Sequence, residues 1–174
     1  MYLINMKKYF IHFLLITTTL VLSGCGIYSF TGASVPANTK TYQVNRFENN
    51  ALLVEPGLER DFKITLEDLI QNQTNLTLVT SNADLVYEGE ITDYRISPTT
   101  STSQNTAAQN RLTISVKVRF FNRKKEDDDL EQTFSFFYDY PGGSQLVGSQ
   151  KTTAHEEIFE RLTQDIFNAT LAKW

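Results

Sequence analysis

Between Arg111 and Tyr140 apolar and polar residues alternate twice over, and no other stretch constrains the fold as tightly. Leu112, Ile114, Val116, Val118 and Phe120 alternate without a break against Arg111, Thr113, Ser115, Lys117 and Arg119. Successive side chains of a strand point to opposite faces, so one face is core and the other wet. The pattern returns with Leu130, Phe134, Phe136, Tyr138 and Tyr140, after a charged turn from Asn122 to Asp128, and Pro141-Gly142-Gly143-Ser144 stops it. A hairpin symmetric about Lys125 sets Val116 opposite Phe134 and Ile114 opposite Phe136 on the buried face. The same register sets Arg119 opposite Glu131 and Arg111 opposite Asp139 on the wet face. The apolar and the charged patterns therefore select one register independently.

The flanking elements follow from their own periods. Leu85, Tyr87, Gly89 and Ile91 share one face of a strand over 85–97, and the phase then shifts to Tyr94 and Ile96. That shift predicts a bulge near Thr92-Asp93, and Pro98 is expected to end the strand. Residues 99–110 are Thr, Ser, Gln, Asn and Ala throughout, which reads as a long hairpin loop. Upstream, Tyr42 and Val44 suggest a first strand over 39–47, followed by a turn at Asn49-Asn50. Pro56-Gly57 opens a helix in which Leu58, Phe62, Leu66, Leu69 and Ile70 form one apolar stripe. It should end within 72–75, ahead of a short extended piece, Leu76-Thr77-Leu78-Val79.

A final helix is predicted over 153–173, opened by the capping box Thr153-x-x-Glu156. Ile158, Phe159, Leu162, Ile166 and Ala169 form its stripe, with Phe167, Leu171 and Trp174 beside it. The order strand, helix, three strands, helix defines an α+β fold: a four-stranded, mostly antiparallel sheet with two helices packed on one face. Residues 39–174 form a single domain on this reading, as suits a chain of this size, and no internal repeat is apparent.

The start of the chain has a different character. Lys7 and Lys8 precede an apolar run from Tyr9 to Leu22, then Ser23, Gly24 and Cys25, the one cysteine of the chain. Leu22-Ser23-Gly24-Cys25 has the form of a lipobox, so 1–24 reads as a bacterial lipoprotein signal peptide. The run is interrupted by His12 and Thr17-Thr18-Thr19, and it is shorter than the roughly 20 apolar residues that span hydrocarbon. Met6-Lys7-Lys8 is a more natural start than Met1-Tyr2-Leu3. Cleavage would leave Cys25 as a diacylglyceryl thioether with an acylated amino terminus, a near-permanent anchor that consumes the thiol. Residues 25–38 would then be an uncharged tether.

Without Lys7 and Lys8 the formal charge moves from −4 to −6, which argues against nucleic acid as a partner. Catalytic signatures are missing. His155 is expected on the solvated first turn of the last helix beside Glu156 and Glu157, and no G-x-S-x-G elbow exists. Glu126-Asp127-Asp128-Asp129 lacks the spaced ligands and glycine of a calcium loop and follows Arg123-Lys124-Lys125, so it reads as a self-neutralising turn. Glu88 and Glu90, two apart on one strand, define no acid–base pocket. No catalytic residue, metal site or cofactor is assigned, beyond the covalent lipid.

Binding remains. In the register above Arg119 and Arg111 face acids, whereas Lys117 faces Thr133 and Arg95 lies on the neighbouring strand with no obvious acidic mate. Cations beside Tyr and Phe suit a phosphorylated, acylated ligand, and the plainer reading is that they solvate the sheet.

The mature chain also resembles a known family. Cys25-Gly26-Ile27-Tyr28-Ser29-Phe30, Phe47-Glu48-Asn49, Leu85-Val86-Tyr87-Glu88-Gly89-Glu90-Ile91, the run from Asn110 to Val118 and Asp165-Ile166-Phe167-Asn168 are together similar to the LptE lipopolysaccharide-assembly lipoproteins of Bacteroidetes-type bacteria. The resemblance implies a lipoprotein of the outer membrane, anchored through Cys25, with its domain on the periplasmic side or in a barrel lumen. It implies a 1:1 partnership with the large β-barrel LptD, which such proteins plug and help assemble, and a part in delivering lipopolysaccharide to the cell surface. A fold of two helices against a four-stranded sheet is also implied. No family motif carries the lipopolysaccharide-binding positions over, so Arg95, Arg111, Lys117 and Arg119 stand as candidates for ligand or partner contacts on the residues alone. The alternative is a self-standing periplasmic carrier of lipid or lipopolysaccharide, which would need a lined cavity.

Overall fold

A computed structural model describes residues 35–101 and 107–172. The expected signal peptide, the expected lipobox with Cys25, most of the expected tether, the tip of the polar loop and Trp174 lie outside the described residues.

Six strands form one mixed sheet: β1 (Thr41–Val44), β2 (Glu48–Asn49), β3 (Thr77–Leu78), β4 (Leu85–Ser101), β5 (Ala107–Asn122) and β6 (Leu130–Pro141). Helix α1 (Leu58–Gln73) and helix α2 (Gly148–Thr170) are the two α-helices among the described residues. The sheet runs β3-β1-β4-β5-β6, with β2 also on β4. The expected α+β class and its two helices are present, and the four-stranded, mostly antiparallel sheet is corrected to six strands. Only β4, β5 and β6 are antiparallel neighbours; β1 lies parallel to both β3 and β4, and β2 parallel to β4.

The central hairpin has the predicted register throughout, from Gln109 opposite Pro141 to Phe120 opposite Leu130. The bulge also falls where the phase shift put it, between Ile91 and Asp93. Pro98, however, does not end β4, which continues to Ser101, and β5 begins at Ala107. The reason is the sheet order: β1 and β2 cover the other edge of β4 only as far as Ile91, so the missing N–H of Pro98 costs no ladder bond. The polar loop is correspondingly shorter than 99–110.

The Asn49-Asn50 turn is replaced by β2, because β1 and β2 are two pieces of one interrupted strand lying along β4. At the break Phe47 turns into the core and is fully buried. It meets Phe62 of α1 edge-on at 5.1 Å, and Phe62 meets Phe159 of α2 at 5.4 Å. This aromatic file joins the sheet to both helices. Leu58, Phe62, Leu66 and Ile70 of α1 bury their stripe toward β1, β2, β3 and α2, and Ile158, Leu162, Ile166 and Phe167 of α2 bury theirs toward β5 and β6, in one core with the even-numbered residues of β5. Thr153 does not cap α2: the helix starts at Gly148, after the extended Val147, with no side-chain cap. Lys151, bound to Glu55 at 2.7 Å, and Leu146, packed on the core, hold this earlier start in place.

Candidate functional site

The face of the sheet opposite the helices carries the charged side chains, and odd positions of β5 and β6 project there because the strands alternate. The structure brings all four candidate cations onto this face and divides them into two groups along it.

The first group sits toward the Pro98 end. Arg111 donates two hydrogen bonds to Asp139, from Nε to Oδ1 and from Nη2 to Oδ2, both at 2.7 Å. Its guanidinium lies 3.5 Å above the centre of the Phe137 ring. The bidentate contact holds the Asp139 carboxyl below its ordinary range and raises Arg111 further. Arg95 stands one strand away, opposite Thr113, and reaches Asp93 at 3.6 Å while its side chain stays 63% exposed. With Ser97, Thr99 and Thr113 these residues line a shallow depression of ≈ 580 Å³. It presents the Arg111 guanidinium over an aromatic ring and the largely exposed Arg95 guanidinium on the neighbouring strand, a combination able to accept an anionic oxygen cluster beside an apolar group.

The second group lies nearer the start of β4. Arg119 was expected opposite Glu131, and its Cα does face Glu131, yet its Nε binds Glu88 Oε1 at 3.0 Å across the other strand boundary. Lys117, expected to be unneutralised opposite Thr133, reaches diagonally to Glu131 instead. That contact holds the Glu131 carboxyl below its ordinary value. Arg95 likewise has an acidic mate, in Asp93. The idea of unpaired cations is therefore corrected: long side chains choose among diagonal neighbours, which strand alternation alone does not reveal.

Other expectations change with packing. His155 is not solvated; it is half-buried, its Nε2 lies 3.1 Å from the Tyr94 hydroxyl, and its ring stacks on Phe159. Burial pushes its pKa below the ordinary value and lifts Tyr94 to about 12. The acidic turn is a short 3-10 segment, Glu126–Asp128, in which Lys125 binds Asp128 at 2.9 Å. Among the described residues no group of three or more His, Cys, Asp or Glu side chains gathers to hold a metal.

Two features escaped the sequence reading. Phe137 is an aromatic on the wet face, 42% exposed, and its signal was the break in alternation at Phe136-Phe137-Tyr138. Leu52, Leu53 and Val54 project from the β2–α1 connection with exposures of 103%, 53% and 59%. That connection is pinned by Asn49, whose Oδ1 accepts from Ala51 N and whose Nδ2 donates to Glu55 O, so the apolar tip is held out rather than left loose.

Among the described residues no helix is long and apolar enough to cross a membrane. The hypothetical protein CT253 from Chlamydia trachomatis shares the fold with a TM-score of 0.54 at 11% identity, over 78% of this chain and 99% of that one. XCC0632 from Xanthomonas campestris gives 0.52 at 10% identity, over 79% and 87%. An uncharacterized lipoprotein B from Nitrosomonas europaea gives 0.50 at 12% identity, over 74% and 79%. At these identities the likeness is one of fold. No curated protein matches the chain at a significant level. A family model described as LptE, lipopolysaccharide-assembly, matches residues 39–170. That match runs from just before β1 to the last residue of α2, and the chain belongs to the LptE family of lipopolysaccharide-assembly proteins.

Proposed function

We propose that this chain is an outer-membrane lipoprotein, anchored through Cys25, that plugs the lumen of the LptD β-barrel in a 1:1 complex and assists delivery of lipopolysaccharide to the cell surface. Given the family, the observation that carries this reading is the closed core. Phe47, Phe62, Leu66, Ile70, Val116 and Leu162 are buried to within 1% in a single cluster shared by the sheet and both helices. A self-standing carrier has to enclose acyl chains in a lined apolar cavity. The two depressions described on the open face are instead lined mainly by charged and polar side chains, with Phe137 the one aromatic among them, which suits a folded plug with a polar exterior.

The held-out Leu52-Leu53-Val54 tip supports a domain seated against a partner, since an apolar projection of this kind gains only when it is covered. Arg95 and Arg111 beside Phe137 are the residues best arranged for lipid phosphates; Lys117 and Arg119 serve the ion-paired lattice of the sheet.

The test is purification of the native lipidated protein from detergent-solubilised outer membrane, with identification of what accompanies it. A large β-barrel at equal stoichiometry supports the plug. Recovery of the protein alone, or with lipid only, overturns it in favour of the carrier. Arg95→Glu is expected to lower lipopolysaccharide binding about ten-fold while leaving the barrel complex intact; unchanged binding removes Arg95 from the ligand site.

A further inference from the structure

The two edges of the sheet are built differently. One ends in β3, only two residues long, which is a common way of blunting an edge. The other is β6, twelve residues paired to β5 over its whole length, with no further strand beside it among the described residues. β6 contains no lysine, its register with β5 shows no bulge, and its one proline is its last residue. Lysine, a bulge and a mid-strand proline, three common devices against strand addition, are thus missing from the longer edge, and its two acids, Glu131 and Asp139, are paired with Lys117 and Arg111 of β5.

At the middle of this edge the rings of Phe136 and Phe137 stack at 5.6 Å, and an arginine lies over each: Arg161 over Phe136 at 5.7 Å and Arg111 over Phe137 at 3.5 Å. A depression opens on either side of the same point. Toward the helices, Phe136, Glu157, Glu160, Arg161 and Gln164 line a groove of ≈ 330 Å³. Toward the open face lies the depression floored by Phe137. Successive side chains of a strand laid along β6 would enter these two depressions alternately, while its backbone paired with the outward amides and carbonyls of β6.

We propose that the β6 edge takes up an extended segment of a different chain, with lysine or arginine on the side that faces α2 and apolar residues on the side that faces Phe137. Charge selects this occupant. Glu157 and Glu160 are exposed on the groove and have no cation partner among the described residues, whereas Arg161 is engaged by Asp165 at 3.3 Å. A second copy is disfavoured for the same reason. Antiparallel pairing of two β6 strands puts both α2 helices on one face of the joined sheet, and Glu157 and Glu160 of each copy then confront those of the other. The inference holds whether or not a barrel is the partner.

The test uses two synthetic peptides of about ten residues, one alternating lysine with valine and one alternating glutamate with valine, titrated into the purified protein. The lysine peptide is expected to bind about ten-fold or more tightly at low salt and to slow hydrogen exchange at β6 amides but not at β3. Glu157→Lys with Glu160→Lys should abolish that preference. Glu59→Lys with Asp68→Lys makes the same change in net charge on α1, which packs at the opposite end of the sheet from β6, and should preserve it. Absence of binding, equal binding of both peptides, loss of preference in both double variants, or no slowing at β6 overturns the proposal. Protection of β6 that grows with protein concentration without peptide overturns the occupant in favour of a second copy.

Discussion

Gly89 carries the tightest steric requirement in the sheet. A Cβ there would collide with the Lys117 carbonyl oxygen and lie 2.9 Å from Phe47 Cε1, where the ring enters the core at the β1–β2 break. Backbone cannot step aside as a side chain does, so Gly89→Ala is expected to destabilise by roughly 1–3 kcal/mol, read as a lower urea midpoint. Asp84 is the second such residue. Its Oδ2 accepts from the amides of Lys40 at 2.8 Å and Thr41 at 3.2 Å, and its Oδ1 meets Lys124 Nζ at 3.0 Å. The Lys40 amide, then the Lys124 hydrogen bond, hold its pKa at about 2 against an ordinary 3.8. A lowered carboxylate pKa stabilises the fold above 3.8, and that contribution disappears as pH falls through about 2. Asp84→Asn should therefore be less stable than the parent at neutral pH, with the gap closing across that acidic window when urea midpoints are compared. Gly89 was visible in the sequence only as a gap in an apolar face. Its role required knowing that Phe47, distant in sequence, would lie over it.

At the scale of elements, periodicity located the hairpin, the bulge and both helical stripes, because each is a local consequence of alternating or helical geometry. Their ends were less legible. A proline, a turn-like Asn-Asn pair and a capping box are real local preferences, and three times the neighbours outweighed them: β4 passes through Pro98, β2 replaces the turn, and α2 begins before Thr153. Thr153 is exposed within α2, so Thr153→Ala is expected to change stability by less than about 0.5 kcal/mol. A loss of ~1 kcal/mol in chemical denaturation, the usual value of a working N-cap, would restore the capping box.

Over the whole molecule the decisive fact is that sheet and helices close on one core while the charged face stays outward. On the proposed function something outside this core has to hold the domain at a membrane, and Cys25 is the residue proposed for that task. Cys25→Ser in the full chain should move the protein from the membrane to the soluble fraction after cell fractionation, without altering the unfolding midpoint of the domain. Retention in the membrane fraction would transfer the anchoring role to a partner.

What the residues determined unaided were the features that depend on neighbours close along the chain: two apolar helix stripes, the alternation of the long strands and the register of the hairpin that joins two of them. Tertiary structure alone decided the parallel placement of β1, β2 and β3, the diagonal ion pairs of Lys117 and Arg119, the burial of His155 and the open edge at β6. Parallel strands are brought together by the helix or loop between them, and a long charged side chain binds whichever acid the packed sheet places within reach. Neither choice exists until distant segments have met, so no local pattern records it.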